Sequence, residues 1–415
     1  MADLVDQVTT IRAIPWPDAQ RSARLHFLTP DTHRGYLDIC RKQSLVPPPK
    51  IDDFKVVFTP LHGVGHLTAM EILVEQGFRV LPVAEQMAPD GQFPNVTKTP
   101  NPENPDSMDR AAALARDKHA DLVLATDPDR LGAMAPDRDG TWRVITGNEI
   151  AALLTHFKLN KLAQSGRLPS SPIVIRTEVT TSLVTRIARH FRAQVVDDLL
   201  VGFKYIADVL AHLEREGRYG DIEGTPADFI IAVEESHGAM LTTAIRDKDA
   251  GASALLMAEL ALDQKRKGKT VIDYLDGLYR QFGYFRNEGV SVYMQGIEGR
   301  QQMIALLESL RAEPLRHVAG LALTHFEDLR DPDGKFGPLR GATDAASRNV
   351  LLFRYGENVR VALRPSGTEP KAKVYLEVST PPCTDAWAKT CADAEACMKG
   401  VSEEFVRLAL AWVGK

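Results

Sequence analysis

The sequence predicts an α/β protein with two α/β/α domains followed by a smaller α+β C-terminal domain. Three observations carry that expectation. From Phe54 onward, short apolar runs alternate with helical stretches, the pattern of a parallel sheet covered by helices. The same alternation begins again near Ser171. After Val290 the strands instead cluster, with a helix before and after them.

In order, residues 1–50 hold an extended piece (Thr9 to Ile14), a helix (Thr32 to Lys42) and the run Pro47-Pro48-Pro49, read as a linker. That is too little chain for a core of its own. The first α/β unit, 51–168, has strands at Val56–Phe58, Phe78–Leu81 and Leu122–Leu124, with helices at Leu67–Gln76 and Met108–Lys118. The second, 169–287, has strands at Ile173–Ile175, Gln194–Val196 and Phe229–Val233, with helices at Ser182–Arg192 and Ala250–Lys267. The last, 288–415, has a strand at Val290–Val292, a helix from Gly299 to Glu313, and strands near Val350–Phe353, Val359–Leu363 and Lys373–Val378. A final helix spaces Trp387, Cys391, Ala394, Met398, Val401, Phe405, Leu408 and Trp412 on one apolar face, suited to packing on a sheet.

The bulk numbers bound the function. At 415 residues, about two to four domains of roughly 100–200 residues are expected. A net charge of −5 supplies no basic field for nucleic acid. No apolar run approaches the ~20 residues of a membrane helix, and the acidic start lacks a signal-peptide pattern. Cys40, Cys383, Cys391 and Cys397 form no Cys-x-x-Cys pair and read as reduced thiols of a cytoplasmic protein.

Three motifs carry chemistry. Arg364-Pro365-Ser366-Gly367-Thr368-Glu369-Pro370-Lys371 lies between two strands. Glycine lets backbone N–H groups converge into an anion nest, the hydroxyls add donors, and arginine offers a planar fork to phosphate. A capped hairpin turn would give the same pattern. Val233-Glu234-Glu235-Ser236-His237-Gly238, at a strand end, can read sugar hydroxyls. Arg246-Asp247-Lys248-Asp249-Ala250 then opens a helix; Asp249 could simply cap it, and Lys248 beside a phosphate becomes a charge partner or acid/base. Asp127-Pro128-Asp129 could offer carboxylates to a hard cation, or be a solvated turn.

Together these motifs resemble the α-D-phosphohexomutases, which include phosphoglucomutase and phosphomannomutase. The resemblance runs from about residue 54 and includes Thr59-Pro60-Leu61-His62-Gly63-Val64-Gly65, Lys98-Thr99-Pro100-Asn101-Pro102, Thr146-Gly147-Asn148-Glu149 and Gly202-Phe203-Lys204-Tyr205-Ile206. It implies four domains around one cleft: a phosphoserine domain, a Mg²⁺-loop domain, a sugar-reading domain and a phosphate clamp. It implies transfer of phosphate from the phosphoserine to the sugar phosphate, a bisphosphate intermediate, and return of the other phosphate to the serine. Carried onto this chain, Glu234 and Ser236 bind the sugar, Lys248 meets phosphate or acts as acid/base, and Arg364, Ser366, Gly367 and Thr368 clamp phosphate. The implied ligand is a hexose or pentose phosphate.

The chain departs from the family pattern. Residues 1–50 look like the tail of the first domain plus a linker, and no Ser-His-Asn-Pro nucleophile loop occurs. The family's Asp-Pro-Asp-Ala-Asp-Arg is contracted to Asp127-Pro128-Asp129-Arg130, so the metal set is incomplete and tight Mg²⁺ binding is not expected. Val201 stands where the family places threonine. The expectation is therefore a phosphoglucomutase/phosphomannomutase-like chain inactive in isolation. The alternatives are a sugar-phosphate-binding pseudoenzyme or decayed gene product, and part of a split mutase completed in trans. An apolar patch is expected on the 51–168 domain, where a first domain or a second copy of the chain would dock.

Overall fold

A computed structural model describes residues 4, 5, 7–50, 53–294, 299–366 and 371–411 of the chain. Two helices, α1 (Trp16–Arg21) and α2 (Pro30–Arg41), precede the first sheet. Pro30 and Pro17 follow the rule that the first helical turn needs no N–H donor: α2 has proline at its first position and α1 has one at its second. The stretch Thr9–Ile14, expected to be extended, pairs with no strand; Ile11 is 90% exposed, so neither a ladder nor a core holds it.

The first sheet takes the order β2-β1-β3-β4-β5. It is built from β1 (Lys55–Thr59), α3 (Ala69–Glu75), β2 (Arg79–Pro82), α4 (Asp109–Lys118), β3 (Leu122–Thr126), β4 (Leu131–Pro136) and β5 (Trp142–Ile145). β1 pairs in parallel with β2 and β3, as the alternation predicts, whereas β4 and β5 add antiparallel. The expected helix Leu67–Gln76 divides into a 3₁₀ turn at Gly65–Leu67 and α3, because Thr68 takes a non-helical ψ of −90°. Gly65 is needed there: a Cβ would stand 2.3 Å from the Thr126 hydroxyl at the end of β3. The Gly63-Val64-Gly65 turn thus serves close backbone approach.

α5 (Gly147–Gln164) leads into the second sheet, ordered β11-β10-β6-β7. Its elements are β6 (Ile173–Thr177), α6 (Leu183–His190), β7 (Gln194–Leu199), α7 (Phe203–Glu216), a small ribbon of β8 (Arg218–Tyr219) and β9 (Ile222–Glu223), β10 (Phe229–Glu234) and β11 (Gly238–Met240). Three parallel strands are again followed by an antiparallel one, so the order β7-β6-β10-β11 repeats β2-β1-β3-β4 of the first sheet, to which β5 is an addition. α8 (Ala250–Arg266) and α9 (Val271–Phe282) follow. α5 and α8 are buried on nearly all sides, and one apolar cluster runs through both α/β units.

The third unit is an antiparallel sheet ordered β12-β17-β16-β15-β14-β13. It comprises β12 (Phe285–Tyr293), α10 (Gly299–Ala312), β13 (His317–Val318), β14 (Leu321–Asp328), α11 (Ala342–Ser347), β15 (Leu351–Tyr355), β16 (Val359–Pro365), β17 (Lys371–Ser379) and α12 (Trp387–Leu410). α10 and α12 cover it: Ala394, Met398, Val401 and Phe405 of the expected stripe are buried, Leu408 packs at the edge, and Trp412 lies outside the described residues. Among the described residues no helix is long and apolar enough to cross a membrane.

The run read as a linker is clasped. Leu37, Cys40 and Val46 belong to the main core, and Arg266 donates to the carbonyls of Pro47 (3.1 Å) and Pro48 (3.2 Å). Asp249 caps α8 through the Ala252 N–H (2.7 Å) and also accepts from the Tyr36 hydroxyl (2.5 Å), so the capping reading holds and gains a tertiary partner. Glu259, buried on α8, accepts from the Leu45 N–H (2.8 Å) and the Ser44 hydroxyl. Burial pushes its carboxyl up to about 7, against the pull of those donors. A carboxyl whose folded value exceeds its unfolded value near 4.3 costs stability as pH rises between the two. The contribution of Glu259 to unfolding free energy should therefore fall from acid to neutral pH. In denaturant titrations Glu259→Gln should gain stability relative to the unaltered protein as pH rises through this range; a difference that does not change with pH would show that Glu259 does not titrate in it.

Candidate functional site

β10 is buried along its whole length and delivers Glu234, Glu235 and Ser236 to its carboxyl end, the usual ligand side of an α/β sheet. The chain then turns at His237, whose φ is +62°. The turn is tied to the first unit: the Leu131 N–H donates to the His237 carbonyl (3.1 Å), and His237 Nδ1 lies 2.9 Å from the Leu131 carbonyl. Burial lowers the His237 pKa, so the ring is neutral and Nδ1–H is the donor.

α5 begins against this turn. Thr146 and Glu149 form a reciprocal capping box, and the Asn148 side chain accepts from the Thr181 N–H (2.8 Å). Gly147 permits the contact: a Cβ there would stand 2.0 Å from the Glu235 carbonyl oxygen. The three units enclose a cleft of about 670 Å³. Arg130 lines it from the first unit, Glu235 and Ser236 from the second, and Lys371, Lys373 and Tyr375 from the third.

Most of the residues singled out in the sequence have a place among the described residues. Ser236 lines the cleft, half-buried. Glu234 does not; it is 2% exposed, and its Oε1 accepts from the Gly202 N–H (2.8 Å). Burial raises its pKa, opposed by Lys248. Lys248 Nζ sits 3.8 Å from Glu234 Oε2 and 3.3 Å from Asp129 Oδ2 and does not line the cleft. Asp127 Oδ1 accepts from the backbone N–H groups of Asp129 (3.2 Å) and Arg130 (2.7 Å), and burial raises its pKa. Arg364, half-buried at the end of β16, stands opposite Lys373 of β17. The Ser366 N–H donates to the Lys371 carbonyl (2.8 Å) and narrows the turn between these strands. Gly367 and Thr368 lie outside the described residues.

Sequence reasoning missed Glu235 as a cleft residue. Its Oε2 is buried without a hydrogen-bond partner, and burial, then the nearby Glu234 charge, pushes its carboxyl up to about 7. In its neutral form it both donates and accepts, which suits a sugar hydroxyl. Lys371, Lys373 and Tyr375 were also missed, although a signal was available. They alternate with the buried Ala372, Val374 and Leu376, the period-two pattern that puts one set on each face of a strand.

Three family profiles match in succession. Phosphoglucomutase/phosphomannomutase, alpha/beta/alpha domain II, matches residues 34–140; domain III matches 146–282; the C-terminal domain matches 327–396. The chain belongs to the α-D-phosphohexomutase family. A phosphoglucomutase of Staphylococcus haemolyticus (strain JCSC1435) is 34% identical over 332 residues, 79% of this chain and 58% of the relative. A phosphoglucomutase of Staphylococcus epidermidis (strain ATCC 12228) is 31% identical over 373 residues, 88% of this chain and 64% of the relative. The chain thus spans about six-tenths of the length of these curated relatives. In fold it is similar to a phosphoglucomutase/phosphomannomutase family protein from Burkholderia thailandensis, with TM-score 0.57, 18% identity, and coverage of 92% of this chain and 65% of that one. It is similar also to the open form of a Paramecium phosphoglucomutase, pp63/parafusin, with TM-score 0.56, 17% identity, and coverage of 92% and 61%.

Phosphohexomutases generally use Mg²⁺. The residues here do not fit it. Mg²⁺ demands near-octahedral oxygen ligation. The β3–β4 loop offers two carboxylates, one with an oxygen spent on two backbone N–H groups and the other facing an ammonium group. Among the described residues, no three His, Cys, Asp or Glu side chains converge on a common point.

Proposed function

We propose that this phosphohexomutase-family chain binds a hexose or pentose phosphate, and that its 415 residues do not by themselves exchange the phosphate. One observation carries the reading. The cleft sets the hydroxyl-reading groups Glu235 and Ser236 against the cations Arg130, Lys371 and Lys373, whereas no Ser-His-Asn-Pro sequence occurs in these residues. Binding chemistry is present without the nucleophile the family reaction implies. In a comparable catalytic unit, loss of the nucleophile costs on the order of 10⁶ in kcat. A phosphoserine from outside these residues, in cis or in trans, would complete the reaction. Its phosphoryl group would pass to a sugar hydroxyl, and the other phosphate of the bisphosphate would return to the serine.

A split mutase completed in trans is the second reading, favoured by exposed Val64, Leu67 and Val74 on the first α/β unit, at 55%, 50% and 50%. Calorimetric titration with glucose 1-phosphate, mannose 1-phosphate and ribose 1-phosphate should show saturable binding of at least one. A coupled mutase assay primed with glucose 1,6-bisphosphate should show no turnover. Turnover by these residues alone would refute inactivity, and absence of binding to all three sugars would refute the binding role. A polypeptide carrying the phosphoserine loop should restore turnover if the chain is half of a split enzyme.

A further inference from the structure

We propose that Lys248 acts as a resident cation: its ammonium group neutralises the Asp127–Arg130 loop and keeps divalent cations out. The contracted loop joins β3 to β4 in an antiparallel turn, which leaves Asp129 reaching toward β10 and α8. There its Oδ2 meets Lys248 Nζ at 3.3 Å, and Glu234 Oε2 lies 3.8 Å from the same nitrogen. Arg130 supplies a second cation, 3.9 Å from both Asp127 and Asp129. Glu103 also pairs with Arg130, at 3.4 Å, so four carboxylates face these two positive side chains before any ion arrives.

Lys248 is a fixed group and not a waving surface lysine. Its side chain is 13% exposed, against 41% for Asp129. Its stem lies over Gly238, where a Cβ would stand 2.6 Å from Lys248 Cδ, and its ammonium lies 5.9 Å from the centre of the Phe203 ring. The slot between Gly238 and Phe203 aims the nitrogen at Asp129. An entering divalent cation would have to displace an ammonium group already paired with Asp129 and Glu234, and would then find Asp127 Oδ1 already held by two N–H donors. Like-charge repulsion at this range, only partly screened, opposes entry.

The test measures metal directly, so it is independent of whether the chain binds sugar phosphate. Mn²⁺ binding is followed by electron paramagnetic resonance and Mg²⁺ by calorimetry. The chain should show no stoichiometric site at roughly millimolar free metal. Lys248→Met keeps the stem and removes the charge, and should bind Mn²⁺ about tenfold tighter or more. Asp129→Asn added to Lys248→Met should abolish that gain. Circular dichroism confirms folding, and Lys248→Gln replaces Lys248→Met if the latter does not fold. A one-to-one Mn²⁺ site in the unaltered chain that Asp129→Asn removes would overturn the proposal. So would a folded Lys248 variant that gains no affinity.

Discussion

Gly147→Ala should abolish measurable sugar-phosphate binding and destabilise the fold by about 1–3 kcal/mol, the usual cost of overpacking a tight contact. The added methyl would lie 2.0 Å from the Glu235 carbonyl oxygen and 2.7 Å from both the backbone nitrogen and Cδ2 of His237. Neither side can yield cheaply. α5 is fixed by its capping box, by the Asn148–Thr181 bond and by the buried run Ile150–Leu159. The Glu235–His237 turn is fixed by two contacts to Leu131. If the turn moves, Glu235 and Ser236 leave the cleft and affinity falls even where the protein still folds. Gly277→Ala is the control. That glycine lies within α9 with nothing within 4 Å of a built Cβ, so alanine should be neutral or stabilise by about 0.5–1 kcal/mol. Denaturant unfolding and calorimetric titration separate the two effects. Normal affinity in Gly147→Ala would mean that the turn tolerates the shift without moving its side chains.

The local pattern made most of the fold legible. Runs such as Val56-Val57-Phe58 and Ile173-Val174-Ile175 are strands buried on both faces, and such strands appear in sequence as unbroken apolar blocks. β4 and β5 escaped notice because the strand–helix alternation does not announce them: β4 is defined by pairing antiparallel with β3, and β5 by pairing with β4. The clasp of residues 30–48 was illegible for a different reason. Its anchors, Asp249, Glu259 and Arg266, lie some two hundred positions away at the cap of α8 and along it, and no local pattern announces such partners. The site divides in the same way. Glu234-Glu235-Ser236 is visible as a motif, but which carboxylate faces the cleft depends on where the Gly202 N–H sits. The contracted loop is visible too, whereas its neutralisation by Lys248 requires α8 to arrive beside it. Chemistry carried by one segment is readable from sequence, and chemistry made by two distant segments awaits the fold.

The largest stability effect is expected at such a two-segment contact. Arg360 of β16 reaches from the third unit into the second. Its guanidinium donates to the carbonyls of Glu178 (2.6 Å) and Thr180 (2.8 Å) and lies 3.5 Å from Glu377. Glu377 is buried on β17 and also accepts from the Ser182 N–H and Asn287 Nδ2, each at 2.9 Å. Burial alone would raise the Glu377 pKa, but Arg360 and these donors outweigh it, and the net shift is downward. Arg360→Met should cost about 3–5 kcal/mol, because it strands two buried carboxylates, Glu377 and Glu178 (3.4 Å), and two carbonyls without replacing their partner. The sign of the pH dependence separates this cause from lost packing. With its folded pKa depressed, Glu377 in the unaltered protein stabilises above the unfolded carboxylate value, and that stability is lost as pH falls through the folded value. In Arg360→Met the largest opposing charge is gone, the folded pKa of Glu377 rises relative to the unaltered protein, and the stability gained from its ionised form shrinks. The gap between the two proteins should therefore be wider at about pH 8 than at about pH 4.5. Arg360→Met combined with Glu377→Met should recover part of the loss, since a buried pair replaced by apolar groups costs less than a buried charge left alone. A gap that does not change with pH would assign the loss to packing, and the charge network would then not be what holds the third unit against the second.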